Sequence, residues 1–316
     1  MEGGLFVERT REAKKFDEEG SKQAWGSKPD PSRDRCTMHH MLPLSLVFLA
    51  CVAVSVWGYR GQSVKTHTFS NEDDMQALKQ VLHDVNTLST RPKICEYRDF
   101  GEIYGAHKLC PYFEHEHFPC HFISFGIEQD YSFDAQLSQQ YNCSGIALDP
   151  TVNHPHQLLP GVKFLKVGAN SPHPGVAGPF LSVPMLRRII GHPIFALKMD
   201  CEGCEYSLAV DIQKDDPDFF LSVLQFNFEV HLPKVFASTE TDIYNLGRLF
   251  RLLYLSGMQL VHVDGGRCGS PEQRHGCHLL LDSIGFPCEP GCRSYLFAHT
   301  FSSLHEWKEV YASVNA

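Results

Sequence analysis

From about residue 120 onward, apolar and polar positions alternate between two spacings along the chain. Short runs rich in β-branched and aromatic residues predict strands, and stretches with apolar residues three or four positions apart predict the helices between them. The predicted strands are 120–127, 144–149, 162–167, 194–200, 223–231 and 258–264. The predicted helices are 132–140, 183–190, 205–212 and 243–255. Two late apolar stretches, 278–282 and 294–299, are expected to complete the sheet, one of them antiparallel.

This alternation predicts an α/β fold, in which a largely parallel sheet is covered by helices on both faces. Upstream, a helix is predicted to begin near Ser70 and to end before Arg91 and Pro92, as a stem or lid within residues 60–92. Residues 93–119 have no clear periodicity, and we expect an irregular segment that braces the main domain of residues 93–316.

The first 59 residues differ from the rest of the chain. A charged head, residues 1–40, carries eight basic and eight acidic side chains, and an uncharged apolar segment follows at residues 41–59. Its apolar run is about 24 Å long as a helix, short of a hydrocarbon core of about 30 Å. It is interpreted as a signal anchor with a cytosolic head, or as a signal peptide if translation begins at Met38. A buried core helix is the third alternative.

The composition of the chain limits the cellular compartments and the classes of binding partner that are expected for it. The chain has 28 basic against 37 acidic residues and a formal charge of −9, which excludes nucleic acid as an expected partner. Ten cysteines follow residue 60, and Asn142-Cys143-Ser144 is an acceptor pattern for N-glycosylation. We therefore expect residues 60–316 to be lumenal or extracellular, with membrane contact only through the N-terminal apolar segment. The oligomeric state is not predicted.

The residues that close the predicted strands are the candidates for chemistry, because ligands of open α/β sheets collect at the carboxyl ends of strands. The first strand ends in Ser124, Gly126 and Glu128, followed by Asp130 and a helix, which offers a glycine turn and free N–H groups. The second ends in Asp149, close to the offset of about 20 residues at which nucleotide-binding folds place a ribose-binding acid.

The fourth and fifth predicted strands carry further acids. Three acids, Asp200, Glu202 and Glu205, follow the fourth strand, and helix capping explains one or two of them but not all three. On the fifth strand, Glu229 and His231 share a face because strand side chains alternate with period two. We interpret this end of the sheet as the site.

Four segments carry a resemblance to a known family: ALKMDCEGCEY at 196–206, SFGIEQDYSFD at 124–134, ALDP at 147–150 and FEVH at 228–231. Together they resemble the FkbM-type S-adenosylmethionine-dependent methyltransferases. The resemblance implies a Rossmann-like class I methyltransferase sheet of about seven strands, the last antiparallel, with S-adenosylmethionine bound across strands one, two and four. It also suggests a hydroxyl acceptor on a small molecule or glycan.

Carried over by position, the resemblance implies that Gly126 faces the methionine part of the cofactor and Asp149 the ribose. It also implies that Asp200 and Glu202 lie at the donor and acceptor end. The residues expected to bind the cofactor are Ser124, Gly126, Glu128, Asp130, Asp149 and Asp200. The candidates for a catalytic base are Asp200, Glu202, Glu229 and His231, and the sequence does not choose among them. The glycine loop departs from the usual pattern, since Ser124 replaces an acid and Glu128 stands where a glycine is common.

Three other interpretations compete. Cys201 and Cys204 form a C-x-x-C motif typical of thiol oxidoreductases, but the motif is embedded in the acid block. Zinc ligands drawn from these two with Cys288 and Cys292, or from 115–117 with His154 and His156, match no closed spacing, so no metal site is predicted. The third interpretation is an inactive, secreted or anchored binding module on the same fold, favoured by the altered glycine loop.

Overall fold

The computed structural model describes residues 67–102, 106–112, 120–169, 178–191, 193–232, 238–267, 278–288 and 291–299. All of them fall in the unit Val56–Ala316. The charged head and the apolar segment lie outside the described residues, so their targeting role stays a prediction. Within the described ranges, the search for a helix long and apolar enough to span a membrane finds none.

Six α-helices are described. They are α1 (Asn71–Thr87), α2 (Ser132–Tyr141), α3 (Val183–Ile190), α4 (Glu205–Asp215), α5 (Glu240–Leu255) and α6 (Leu279–Ser283). The Ser70 side chain caps α1 by accepting from the Asp73 N–H, as the sequence predicts for a helix start. A capping box between Thr239 and Asp242 begins α5 in the same way.

Twelve strands are described. They are β1 (Arg98–Phe100), β2 (His107–Leu109), β3 (His121–Phe125), β4 (Ser144–Leu148), β5 (Gln157–Leu159), β6 (Val162–Leu165), β7 (Gly168–Ala169), β8 (Phe180–Leu181), β9 (Ile194–Met199), β10 (Val223–His231), β11 (Met258–Arg267) and β12 (Gly291–His299). Eight of them form one sheet in the order β11-β12-β10-β9-β3-β4-β6-β5. The short pairs β1–β2 and β7–β8 stand apart from it.

The central strands of the large sheet are parallel. β10, β9, β3, β4 and β6 pair in parallel, whereas β12 is antiparallel to both of its neighbours, β10 and β11. All six residues of β9 are buried. One apolar cluster joins the sheet to α1, α3, α4 and α5, and a second joins it to α2 and the β1–β2 hairpin. Both faces of the sheet are therefore covered, as the alternating pattern predicted.

The predicted elements are largely confirmed. Each of the six strands and four helices between residues 120 and 264 is present within a few residues of its predicted bounds, and 294–299 lies in the antiparallel β12. The sheet exceeds the expected seven strands by β5, a three-residue antiparallel edge strand. The predicted α/β class, with a reversed last strand, is confirmed.

The prediction of a strand at 278–282 is wrong, because this stretch forms α6. His278 begins the helix, and its Nδ1 accepts a hydrogen bond from the Leu280 N–H. The segment is too short for its apolar spacing to separate helix from strand. The segment 93–119 is likewise more regular than expected, since it contains the β1–β2 hairpin and the Cys95–Cys110 disulfide.

Helix α1 packs into the same core as the sheet. Ala77, Leu78 and Val81 are buried in the cluster that also contains residues of α5. At the crossing, a Cβ added to Gly247 would lie 2.2 Å from the Asp74 carbonyl oxygen, so the two backbones approach closely. The helix is thus part of the folded core.

Candidate functional site

The site is located by the point where the strand order reverses. The chain runs from β3 outward through β4 to β6, and then returns to β9 on the other side of β3. Ligands of open α/β sheets bind outside the carboxyl ends of the strands at such a switch point. Gly126 directly follows β3 and Asp200 directly follows β9, so both lie there.

Gly126 allows the two strand ends to approach each other. Its φ is +68°, and its N–H donates to the Leu148 carbonyl oxygen at 2.9 Å. The Asp200 N–H donates to the Phe125 carbonyl oxygen at 3.1 Å. A Cβ on Gly126 would lie 1.5 Å from the Asp200 carbonyl oxygen, so no other residue fits this turn without moving Asp200.

A buried lysine also binds the backbone of this turn. Lys198 lies in β9, and its Nζ donates to the carbonyl oxygens of Phe125 at 3.0 Å and Gly126 at 2.6 Å. The ammonium therefore stabilises the turn and places a positive charge next to its two carbonyl oxygens. Sequence reasoning missed this role, although a single lysine inside an otherwise apolar, buried strand was a usable signal.

Ser124 lies beneath the turn and not at its surface. The residue is fully buried, and its Oγ donates to Asp134 Oδ2 at 3.3 Å. Burial raises the pKa of Asp134 to about 6. The hydroxyl that stands where an acid is usual in the family thus contacts α2 in this structure.

Asp149 holds the segment that follows Gly126. Its Oδ2 accepts the Glu128 N–H at 2.9 Å, and its Oδ1 accepts the N–H and hydroxyl of Thr151 at 2.8 and 2.6 Å. Only 3% of the residue is exposed. Glu128 has a φ of 44°, and its carbonyl oxygen lies 2.7 Å from His154 Nε2. Oδ2, with one donor, retains capacity for another.

Asp130 lies two residues before the start of α2, beside this turn. Its Oδ1 accepts the Ser132 N–H at 3.0 Å. A polar cavity of about 410 Å³ opens next to it, lined by α2, by the turn residues 129–131 and by Gly101 and Glu102. Its volume lies in the range of small-molecule sites.

Three predicted residues come together at the ends of β9 and β10. His231 Nε2 lies 3.7 Å from Asp200 Oδ1 and 3.6 Å from Glu229 Oε1, and its Nδ1 lies 3.2 Å from Glu205 Oε1. Burial alone would lower the pKa of His231, but the carboxylates of Glu205, Asp200 and Glu229 outweigh it and raise the pKa to about 9. Burial and the Asp200 charge raise the pKa of Glu229 to about 7.

Glu202 occupies the loop between β9 and α4. It is exposed and has a φ of 49°, and the Cys201–Cys204 disulfide closes the loop around it. Because both cysteines are in this bond, they are not zinc ligands in this structure. Burial, followed by the charges of Glu202, Asp200 and Asp149, raises the pKa of Glu128, so these acids lie within electrostatic reach of one another.

The polar face of β10 is divided between two roles. Gln225 and Asn227 bind the N-terminal hairpin, since Gln225 exchanges two hydrogen bonds with the Cys110 backbone and Asn227 Nδ2 donates to the Lys108 carbonyl oxygen. Glu229 and His231 lie on the same face, closer to the carboxyl end of β10.

The hairpin also brings in a histidine that sequence reasoning missed. His107 Nδ1 lies 2.9 Å from Asn227 Oδ1, and burial and the Lys198 charge lower the pKa of His107 to about 4. His107 is therefore neutral at pH 7. No signal in the irregular segment distinguished it from the other histidines there.

Comparisons with known proteins give few matches. No model of a known protein family matches the chain, and no curated protein matches it. Among solved structures it is similar to the plantazolicin methyltransferase BpumL in complex with SAH, at 11% identity and a TM-score of 0.30, over 60% of this chain and 80% of that one. It is also similar to the plantazolicin methyltransferase BamL in complex with a triazolic desmethylPZN analog and SAH, at 9% identity and a TM-score of 0.31, over 81% and 92%. The fold, as its own strand order shows, is mixed α/β with a largely parallel sheet.

Proposed function

We propose that the chain is an S-adenosylmethionine-dependent methyltransferase, related to the FkbM type, that methylates a hydroxyl oxygen of a small molecule or glycan. The observation that carries the proposal is the strand order β11-β12-β10-β9-β3-β4-β6 with β12 reversed, and the Gly126 turn at its switch point. The sequence resemblance implied a sheet of about seven strands with the last one antiparallel, and this order is consistent with that expectation. The segments that carry the resemblance lie at the carboxyl edge of the sheet.

The residues at this edge fit the cofactor in charge and in position. S-adenosylmethionine, when bound, supplies a methyl group activated by a positively charged sulfonium sulfur. Asp149, Asp200, Glu128 and Glu202 form an acidic edge that attracts this charge. Asp149 follows the second strand of the parallel set, where its remaining acceptor capacity suits a ribose hydroxyl.

Two side chains of the protein hold the backbone at this acidic edge of the sheet. Lys198 holds the Gly126 turn through two carbonyl oxygens, and Asp149 holds the Glu128 backbone through its N–H. Asp149 is thus a positioning residue as well as the proposed ribose contact. Pre-formed contacts of this kind reduce the conformational entropy that binding would otherwise lose.

Asp200 and Glu229 form the acceptor end of the site. Their side chains are 31% and 19% exposed, whereas His231 is almost fully buried behind them. We assign to the two carboxylates the tasks of orienting the acceptor hydroxyl and receiving its proton. The Glu205 carboxylate fixes His231, which in turn lies against both.

One observation favours a second function, a binding module without methyl transfer. Ser124 and Glu128 depart from the glycine loop of the family, and the structure has Ser124 buried and Glu128 in a left-handed conformation. Such a domain would retain the fold without cofactor affinity.

Calorimetric titration of S-adenosylmethionine and S-adenosylhomocysteine into the oxidised full chain tests both functions. We expect saturable binding that Asp149→Asn weakens at least tenfold, because the variant loses the negative charge and one of the two oxygens that accept hydrogen bonds. Asp211→Asn on α4 is the control, since its charged neighbours are Asp215 and Lys214. Absence of binding by a folded chain would reject the methyltransferase and leave the binding module.

We also propose that residues 60–316 function in an oxidising compartment of the secretory pathway. Three disulfides, Cys95–Cys110, Cys120–Cys143 and Cys201–Cys204, support this proposal, and Cys288 and Cys292 are disulfide-bonded too. Peptide mapping of the protein without reductant checks the three pairs directly.

A further inference from the structure

The cluster at the ends of β9 and β10 follows from the register of these strands. They pair in parallel with Asn227 opposite Lys198 and Phe228 opposite Met199. Side chains alternate with period two, so Glu229 and Asp200 lie side by side on the face that carries Asn227 and Lys198. One ligand atom from each of Asp200, Glu229 and His231 lies within 4.8 Å of the other two.

His231 is oriented as metal-binding histidines commonly are. Its Nδ1 faces Glu205 Oε1 at 3.2 Å, and its Nε2 faces the two carboxylates at 3.6 and 3.7 Å. Glu205 is fully buried, and it also accepts the N–H groups of Gly203 and His231 at 2.9 and 2.7 Å. A carboxylate on one ring nitrogen fixes the ring while the other nitrogen faces the ion.

A second and independent observation lies on the hairpin. His107 is 5% exposed, and its Nε2 has no hydrogen-bond partner among the described residues. Asn227 Nδ2 donates to the Lys108 carbonyl oxygen, so Asn227 Oδ1 faces His107 and the His107 proton resides on Nδ1. A buried imidazole nitrogen with a free lone pair is costly unless it has a partner.

The buried imidazole of His107 is within electrostatic reach of one member of the cluster, Asp200. The charged groups within electrostatic reach of His107 are Lys198, Asp200 and Asp130. Lys198 already donates to two backbone carbonyl oxygens. Asp200 therefore belongs to the carboxylate–histidine cluster and is also one of the charges that act on the His107 imidazole.

We propose that Asp200, Glu229 and His231 bind a divalent cation of the Mn²⁺ or Mg²⁺ class, which displaces the Nε2 proton of His231 to solvent. Carboxylate oxygens with one imidazole suit this class, and ligand atoms bonded at about 2.1 Å stand roughly 3 to 4.3 Å apart. The observed separations of 3.6 and 3.7 Å fall in this range. The remaining coordination positions face the acceptor end and would take water or an acceptor hydroxyl. The acceptor role rests on the proposed function, whereas the cation site does not.

Titration of Mn²⁺ into the full chain, with its disulfides intact and without cofactor, tests the site. Electron paramagnetic resonance measures free Mn²⁺, and we expect one ion bound per chain. Asp200→Asn and Glu229→Gln should each weaken binding at least tenfold, and Glu205→Gln by about 10- to 100-fold. Glu202→Gln is the matched control, since Glu202 lies in the same loop, is exposed and is not a ligand.

Two outcomes would overturn the proposal. Absence of bound Mn²⁺ is one. The other is that Glu202→Gln weakens binding as much as Asp200→Asn, because a diffuse acidic surface would not distinguish the two. Pulsed measurement of ¹⁴N coupling to Mn²⁺ in the unaltered chain needs no variant, and we expect the signature of one imidazole ligand. Its absence would also contradict the site.

Calorimetry of S-adenosylmethionine on the same samples separates this proposal from the proposed function. Cofactor binding without any Mn²⁺ site rejects the cation alone. Mn²⁺ binding without cofactor binding rejects the methyltransferase and leaves the cation site.

Discussion

Gly126 and Gly191 offer a matched pair of substitutions. Both have a positive φ, +68° and +64°, but a Cβ would meet the Asp200 backbone at Gly126 and nothing within 4 Å at Gly191. Gly191→Ala should therefore cost only the left-handed strain, about 1–2 kcal/mol of unfolding free energy. Gly126→Ala adds steric overlap, and we expect a loss of about 2–5 kcal/mol in total.

Chemical denaturation of both variants measures this difference. Calorimetry of the Gly126→Ala protein, at a temperature where it remains folded, should also show weakened cofactor binding because the turn is displaced. Equal losses of stability in the two variants would contradict the close approach of Gly126 to Asp200.

Single residues also show where sequence reasoning stopped. The alternation along β10 correctly placed Glu229 and His231 on one face of that strand. The apolar run of β9 correctly placed Asp200 at the end of the strand that pairs with β10. The same alternation could not reveal that Gln225 and Asn227 bind the hairpin, because their partners lie more than 100 residues earlier in the chain. His107 was missed for the same reason.

At the scale of elements, the contact between α1 and α5 depends on a buried ion pair. Arg248 Nε and Nη2 donate to Asp74 Oδ2 at 3.1 and 2.8 Å, and Asp74 is fully buried. Arg248→Met leaves this carboxylate without its main partner, and we expect a loss of about 3–5 kcal/mol of unfolding free energy.

Arg251→Met is the control for this pair. Arg251 Nη1 lies 3.1 Å from Asp73, which is half exposed, and 4.0 Å from Asp74. The Arg251–Asp73 pair borders solvent on the Asp73 side, so we expect a smaller loss for Arg251→Met than for Arg248→Met. In urea titrations, similar losses for the two variants would show that the Asp74 pair does not carry the contact between the helices.

Elements with a strong period were predictable, and short ones were not. The strands at 194–199 and 223–231 are long apolar or alternating runs, and both were located within a residue or two. The strands β1, β2 and β5 have three residues each, too few for an alternation to show. At 278–282 the apolar run alone could not show that the His278 imidazole caps a helix.

For the whole molecule, the pH dependence of stability includes a contribution from His299 at the end of β12. His299 is buried, its Nε2 lies 3.0 Å from the Phe220 carbonyl oxygen, and burial lowers the pKa of His299 to about 4. The unfolded chain has a His pKa near 6.5, so protonation favours the unfolded state. The contribution of neutral His299 is complete above about pH 6.5 and is lost as the pH falls toward 4.

His299→Gln keeps an N–H donor for Phe220 but does not titrate. We expect the difference in unfolding free energy between the unaltered chain and this variant to shift by about 3 kcal/mol between pH 7 and pH 4. Urea denaturation across this range measures it. A difference that stays constant with pH would show that His299 is not buried in its neutral form.

The sequence was sufficient to predict the α/β class and the parallel pairing of the sheet. It was not sufficient to predict where the β1–β2 hairpin packs. Alternating helices and strands already implied parallel pairing, and the reversed strand β12 completed the set. The position of the β1–β2 hairpin against β10 depends on side-chain hydrogen bonds between distant segments, which no local period encodes. The acids of the candidate site lie in or directly after strands that the pattern located, whereas His107 lies in a hairpin that the pattern did not reveal.

The described disulfides share a property that bears on biosynthesis. Cys95–Cys110, Cys120–Cys143 and Cys201–Cys204 each join cysteines with no other cysteine between them, at separations of 15, 23 and 3 residues. A chain that emerges from its N-terminus into an oxidising environment meets each partner before any later cysteine arrives. Pairing in order of emergence therefore yields these three native bonds directly, without the slow exchange of mispaired thiols.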